Sequence, residues 1–347
     1  MHRRTVQAGF FALAAFLVYL TLRKTDLAEI GAAFQQARYW WCAPLLLVTV
    51  ASHLLRAWRW QALLEVLPPA RRQPRLMTAF GSVLIGLMVN YLLPRAGEFV
   101  RAGNLARRER LPYSGVFGTI VTERVIDLAT LAAGSVASVL VLTGAQRVSL
   151  QQMLRPALER LASFPAIGLA AGMLAAFALV WWVVTRTWTK NLWTRYAAPA
   201  WTSFSAGFVT ARSSPRKVML FLTTVGIWLL YGLMAYIPLE MFSIAGPYSL
   251  NLADAMVIMF VGVFGVVVPT PGGVGSFHYI TVQALTLFYG VSGSLAATYA
   301  VFVHGAQLIL YLALGLLAIG LQDTKLGQLH TLVNKPQEQH MADEPGN

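Results

Sequence analysis

The chain has 347 residues, 57% of them apolar and only 12% charged, with 27 Lys and Arg against 14 Asp and Glu. A soluble domain carries about 25% charged residues, so a soluble globular enzyme is excluded first, and the single cysteine, Cys42, with no CxxC or Cys/His cluster beside it, excludes an internal disulfide and structural zinc. The net charge of +13 lies in short clusters between apolar runs, which makes anionic lipid the expected partner and not nucleic acid.

A bilayer core about 30 Å thick needs roughly 20 mostly apolar residues in helix. Nine apolar runs follow one another, over 6–22, 39–55, 76–93, 116–143, 167–184, 218–237, 252–268, 277–289 and 295–321. The first follows Arg3 and Arg4, as a secretory signal does, but is succeeded by Arg23 and Lys24 and not by a small-residue cleavage site. It reads as an uncleaved spanning helix.

The third run ends in Pro94-Arg95-Ala-Gly97-Glu98-Phe-Val-Arg101, and the seventh in Pro269-Thr-Pro271-Gly272-Gly273-Val-Gly275-Ser276. Proline and clustered glycine break helices, and broken backbone is tolerated at membrane depth only inside protein or along a wet cavity. Both places therefore read as re-entrant helix pairs. Cytoplasmic loops collect Lys and Arg, and if both pairs enter and leave on one side, the cytoplasmic positions hold 19 basic residues, among them Arg56, Arg59 and Arg101, against 6 outside. Full crossing by the broken segments would give 12 against 14.

The expected fold is thus an all-α polytopic membrane protein of about six full transmembrane helices plus two re-entrant pairs in an inverted-topology repeat. One membrane domain covers 1–325, with repeats at 39–143 and 218–321, and 326–347 forms a disordered cytoplasmic tail. Thin internal similarity accompanies the pairing: Glu123 and then Gly134 follow Pro94, as His304 and then Gly315 follow Pro271. Many secondary transporters bind substrate between such repeats, near the ends of broken helices.

Ionised side chains at bilayer depth are costly and should face a partner or a cavity. Glu123, Arg124 and Asp127 share neighbouring helical faces, and read either as a headgroup site or as a self-satisfied knot that glues helices. Arg95, Glu98 and Arg101 surround Gly97, where guanidinium groups suit a lipid phosphate; interfacial snorkelling is the alternative. Asn90 caps or lines the same break. Gly272, Gly273 and Gly275 with Ser276 lack the strand, acidic residue or Gly-Lys-Ser of a nucleotide loop, and read as a tight turn that exposes backbone donors. His278 and His304 make a poor metal set and suit proton-sensitive gating or hydrogen bonding. His53 and Gln307 read as polar glue. Trp40, Trp41, Trp58, Trp60, Trp181 and Trp182 read as interfacial belt residues, and 191–210 as an interfacial amphipathic helix.

Asn90 with Pro94-Arg95-Ala-Gly97-Glu98-Phe-Val-Arg101, Glu123-Arg124-Val-Ile-Asp127 and Pro269-Thr-Pro271-Gly272-Gly273-Val-Gly275 together resemble the transmembrane, flippase-like domain of the lysylphosphatidylglycerol synthetase family, as a stand-alone member without the synthetase domain. The resemblance implies movement of a lipid between leaflets: a phospholipid, an aminoacylated phospholipid or a polyprenyl-linked glycan. Many relatives carry a glutamate soon after the glycine turn, where this chain has Ser276-Phe277-His278, and an arginine where His304 stands, departures that weigh against a lysyl-lipid headgroup. The expectation is a non-enzymatic transporter of the cell inner membrane with both termini cytoplasmic, no cofactor and no metal; the alternatives are an integral-membrane lipid-modifying enzyme, for which no metal-binding acidic pair or loop nucleophile stands out, and a non-transporting membrane scaffold. The expected partners are lipid and, as an allowed assembly, further copies of the chain.

Overall fold

A computed structural model describes residues 16–21, 23, 25–65, 67, 74–92, 96–161, 202, 205, 214–267 and 273–322. Among them there are helices and turns and no strand. The runs at 6–22 and 167–184, the stretch 191–210 with Trp181 and Trp182, and the tail 326–347 lie wholly or mostly outside these residues, as do Arg95 and Gly272.

The first long element, α1 (Leu27–Gln36), starts where Asp26 accepts the Ala28 N–H at 2.8 Å, a side-chain cap that satisfies one of the open donors of a helix start. After a 3-10 turn at Tyr39–Trp41 comes α2 (Cys42–Leu64), then α3 (Leu76–Leu92), α4 (Gly97–Glu109), α5 (Tyr113–Val141) and α6 (Gly144–Leu161). The second half comprises α7 (Lys217–Met241), α8 (Leu252–Val267), α9 (Ser276–Tyr289) and α10 (Gly293–Leu321).

Among the described residues four helices are long and apolar enough to cross a membrane: α2 with its 3-10 turn, α5, α7 and α10, of 26, 29, 25 and 29 residues. Their outward faces carry large apolar side chains with nothing packed over them, such as Leu47, Leu128, Leu140, Phe221 and Leu317. In water that surface would be costly; against lipid tails it is not. By contrast α3 and α8 have 17 and 16 residues, and α4 and α9 only 13 and 14.

The helices α2 and α7 pack on each other, α2 also on α3 and α7 also on α8. Each is followed by a helical hairpin, α3 with α4 and α8 with α9, and each hairpin packs against the last helix of the opposite half, α3 on α10 and α8 on α5. Glycines set the close approaches. A Cβ on Gly86 would meet the Gly97 carbonyl at 2.9 Å, and one on Gly265 would meet backbone of Ser276 and Phe277, so both hairpins close backbone to backbone. Phe260 of α8 fills the space left by Gly134 of α5, and Met88 of α3 that left by Gly315 of α10.

The two largest apolar cores among the described residues fall one in each half. One joins Trp60 and Leu64 of α2, Ala79 and Val83 of α3, Leu105 of α4 and Ile120 of α5. The other joins Leu239 of α7, Ile258 of α8, Leu285 of α9 and Tyr299 of α10. In both halves the core takes the C-terminal part of the first helix, the N-terminal part of the hairpin's first arm, the C-terminal part of its second arm and the N-terminal part of the last helix. Both second arms also end on a left-handed residue, Arg110 at φ 53° and Gly290 at φ 67°.

Candidate functional site

On α2 the residues His53, Arg56, Arg59 and Trp60 recur at spacings of three, three and one, which puts them on one helical face. That face is buried, so α2 continues as helix nine residues beyond the apolar run that ends at Leu55. Its charged face meets protein, not a loop. From α4 comes Arg101, and from α5 Glu123, Arg124 and Asp127.

Glu123 is the hub and is wholly buried. Arg56 donates from Nε to its Oε1 at 2.5 Å, and Arg101 donates from Nη2 to Oε2 at 2.7 Å and from Nη1 to Oε1 at 3.4 Å, a two-pronged grip. Arg124 reaches Oε1 at 3.3 Å. Arg59 turns to Asp127, donating to Oδ1 at 2.7 Å, while its other terminal nitrogen donates to Thr224 Oγ1 of α7 at 3.1 Å. Four guanidinium groups therefore share two carboxylates.

Burial would make each of these charges costly alone, and breaking such a group is costlier than never forming it. Trp60 supports the arrangement from below: the Arg101 guanidinium carbon lies 3.8 Å from the Trp60 ring centroid, a favourable cation–π contact. The indole N–H of Trp60 donates to Thr119 Oγ1 at 2.9 Å. One side of the cluster is open, since Arg124 is 39% and Asp127 20% exposed.

Asn90 and Glu98 stand next to this cluster. The Asn90 Oδ1 accepts the Gly97 N–H at 2.8 Å and its amide donates to Glu98 Oε2 at 3.3 Å, so Asn90 caps the start of α4 across the break. The remaining expected residues form a second group in the other half. Gly273 and Gly275 take φ of 76° and 84°, the left-handed turn expected of them, and the hydroxyl of Ser276 donates to the Gly273 carbonyl at 3.3 Å. His278 Nδ1 accepts the Gly275 N–H at 3.3 Å, and its ring centroid lies 4.9 Å from that of His304. Where α4 and α5 are joined by Arg101 and Glu123, α9 and α10 are joined by two histidines.

The sequence pattern alone gives Arg56, Arg59 and Trp60 other roles. The two arginines, expected among cytoplasmic loop charges, are 8% and 0% exposed within α2, because the helix runs on and their partners Glu123 and Asp127 are internal. Trp60, expected in the interfacial belt, is fully buried and supports Arg101. Trp40 and Trp58 are exposed as a belt requires. The signal for the missed trio was their helical spacing with His53. Among the described residues no cluster of three or more His, Cys, Asp or Glu is placed to hold a metal ion.

Helices of membrane-crossing length around a buried, internally paired arginine cluster define an integral, multi-pass membrane protein. The chain belongs to the family described as Lysylphosphatidylglycerol synthase TM region, which matches residues 7–315. It is also similar, at 31% identity over 131 residues, to the protein named "Glycosyltransferase AglD" of Haloferax volcanii, a match covering 38% of this chain and 20% of that protein. This chain thus spans about a fifth of that curated relative. No solved structure matches it.

Proposed function

We propose that the protein is a flippase-like transporter, and not an enzyme, that moves a lipid with an anionic or phosphate-containing headgroup between the leaflets of the cell inner membrane. Phospholipids, aminoacylated phospholipids and polyprenyl-linked glycans form the substrate class. The observation that carries this reading is the buried surplus of guanidinium groups over carboxylates beside the break between α3 and α4. A cationic site within a membrane domain attracts phosphate, and an uncharged headgroup would leave the surplus unpaired.

The proposed threading is six full crossings with two re-entrant pairs in an inverted repeat, both termini on the cytoplasmic side. At about 1.5 Å per residue the hairpin arms are about 20 to 26 Å long, short of a bilayer core of about 30 Å. The crosswise contacts α3 on α10 and α8 on α5, the matched pairs Gly134–Phe260 and Gly315–Met88, and the two equivalent cores support a two-fold relation between the halves. Taking the buried Arg56, Arg59 and Arg101 out of the loop tally leaves 16 basic residues inside against 6 outside, which still favours this orientation.

A second reading, an integral-membrane glycosyl transferase, is favoured by the printed name of the Haloferax relative alone. The two separate in one experiment. Purified protein in vesicles carrying a fluorescent phospholipid is expected to expose inner-leaflet label to dithionite faster than protein-free vesicles, without chemical change in the lipid. Product formation without leaflet exchange would replace the transport reading by the transferase one.

A further inference from the structure

We infer that the arginine cluster selects a doubly charged phosphoryl group at the end of a lipid, a phosphate monoester or diphosphate, over the singly charged diester of an ordinary phospholipid. The inference rests on the transport reading above and adds the substrate class to it.

The first ground is charge. Among the described residues Arg56, Arg59, Arg101 and Arg124 face only Glu123 and Asp127 within pairing distance, and arginine does not give up its proton in proteins. The next carboxylate, Glu98, lies one turn before Arg101 and takes the Asn90 amide at 3.3 Å. Counting direct ion pairs alone, two positive charges are left over in a largely buried place, with Glu98 acting on Arg101 from one turn away without a salt bridge. A diester cancels one of them, an ammonium-bearing headgroup adds to them, and a dianion cancels both.

The second ground is the unused donors. Among the described residues the Nε groups of Arg59, Arg101 and Arg124 are buried without a hydrogen-bond partner. His53, 1% exposed and one turn before Arg56 on the same face of α2, also has neither ring nitrogen hydrogen-bonded, so the one N–H of its neutral ring is unused as well. Unpaired buried donors are costly. A terminal phosphate presents three strong acceptor oxygens, one more than the unesterified pair of a diester.

The third ground ties the phosphate to a lipid and not to a soluble ion. The open side of the cluster lies on α5, where Arg124 at 39% exposure is flanked by Val125 at 49% and Leu128 at 62%. A headgroup seated at Arg124 therefore has its tails against the same apolar outer face, with no polar path to cross.

The test uses the full chain in vesicles with either fluorescent phosphatidic acid, a monoester, or fluorescent phosphatidylglycerol, a diester. Exchange is read by back-extraction of the fluorescent lipid to albumin at about pH 7.5 and about pH 5, on either side of the second phosphate ionisation near pH 6. The monoester gains its second charge above that pH, so its advantage is expected to reach about tenfold at the higher pH and to vanish at the lower, where both headgroups carry one charge. The diester rate stays level. Arg124→Gln, which removes one charge at the open edge, is expected to shrink the advantage severalfold, and Arg124→Lys, which keeps the charge, to preserve it. Equal exchange of the two lipids at both pH values overturns the inference and leaves transport standing. No exchange of either lipid overturns both. Uptake of inorganic phosphate by the same vesicles, without exchange of the monoester, overturns the lipid source.

Discussion

Arg101 of α4 lies face-on to Trp60 of α2, its guanidinium carbon 3.8 Å from the ring centroid, while the same guanidinium grips Glu123 of α5. One side chain thus fixes three helices relative to each other. A cation–π contact out of water is worth about 2 kcal/mol, so Trp60→Leu is expected to lower the thermal midpoint in detergent clearly, and Trp60→Phe, which keeps a ring face, to lower it less. Equal midpoints for the two variants would refute the contact's importance.

Glu123 holds Arg56 and Arg101 together without any solvent contact. Glu123→Gln keeps the shape but leaves the arginines facing one another, and removing one partner of a buried charge group costs about 3 to 5 kcal/mol. Reduced yield of folded protein and a lowered unfolding midpoint are expected. Arg124→Gln, at the half-exposed edge of the same cluster, is expected to retain near-normal stability and to slow monoester exchange severalfold, so the two variants separate holding the helices from the proposed headgroup contact.

At the crossing of α3 and α4 a Cβ on Gly97 would run into the Gly86 carbonyl and the Asn90 side chain, whereas one on Gly31 would meet nothing within 4 Å. Backbone cannot step aside as a side chain can. Gly97→Ala is expected to cost about 1 to 3 kcal/mol, the usual range for overpacking, and Gly31→Ala to leave the midpoint unchanged or slightly raised. Comparing the two by thermal unfolding checks the close approach directly.

Arg110 closes α4 in the left-handed region at φ 53°, where an ordinary side chain pays about 1 to 2 kcal/mol and glycine pays almost nothing. Gly290 does the same task for α9. Arg110→Gly is expected to stabilise the protein by up to about 1 kcal/mol, since glycine is the favoured residue at such helix ends. Unfolding of the variant at a lower temperature than the parent would contradict the assignment.

Much of this fold was legible in the sequence because lipid-facing helices must be apolar over their whole length. The runs at 116–143 and 295–321 became Tyr113–Val141 and Gly293–Leu321, and the breaks after 93 and 268 fall where α3 and α8 end. What apolarity could not reveal was α2 beyond Leu55, where the helix changes from facing lipid to facing protein. A buried arginine looks like a loop arginine until its carboxylate partner is known, and Arg56 lies 67 positions from Glu123. The same blindness placed Trp60 at the membrane surface. Asn90, Arg101, Glu123, Arg124 and Asp127 stand out in the sequence because each sits close to a proline or glycine break or interrupts an apolar stretch. No sequence pattern announced that Thr224 of α7 would meet Arg59.

The crosswise packing also dictates an order of events during synthesis. The hairpin of α3 and α4 rests on α10, the last of the described helices to leave the ribosome, so its Met88 has no glycine notch to occupy while the middle of the chain is still being translated. The nascent protein must keep that hairpin parked, guarded by the insertion machinery or by lipid, until Gly315 arrives to receive it.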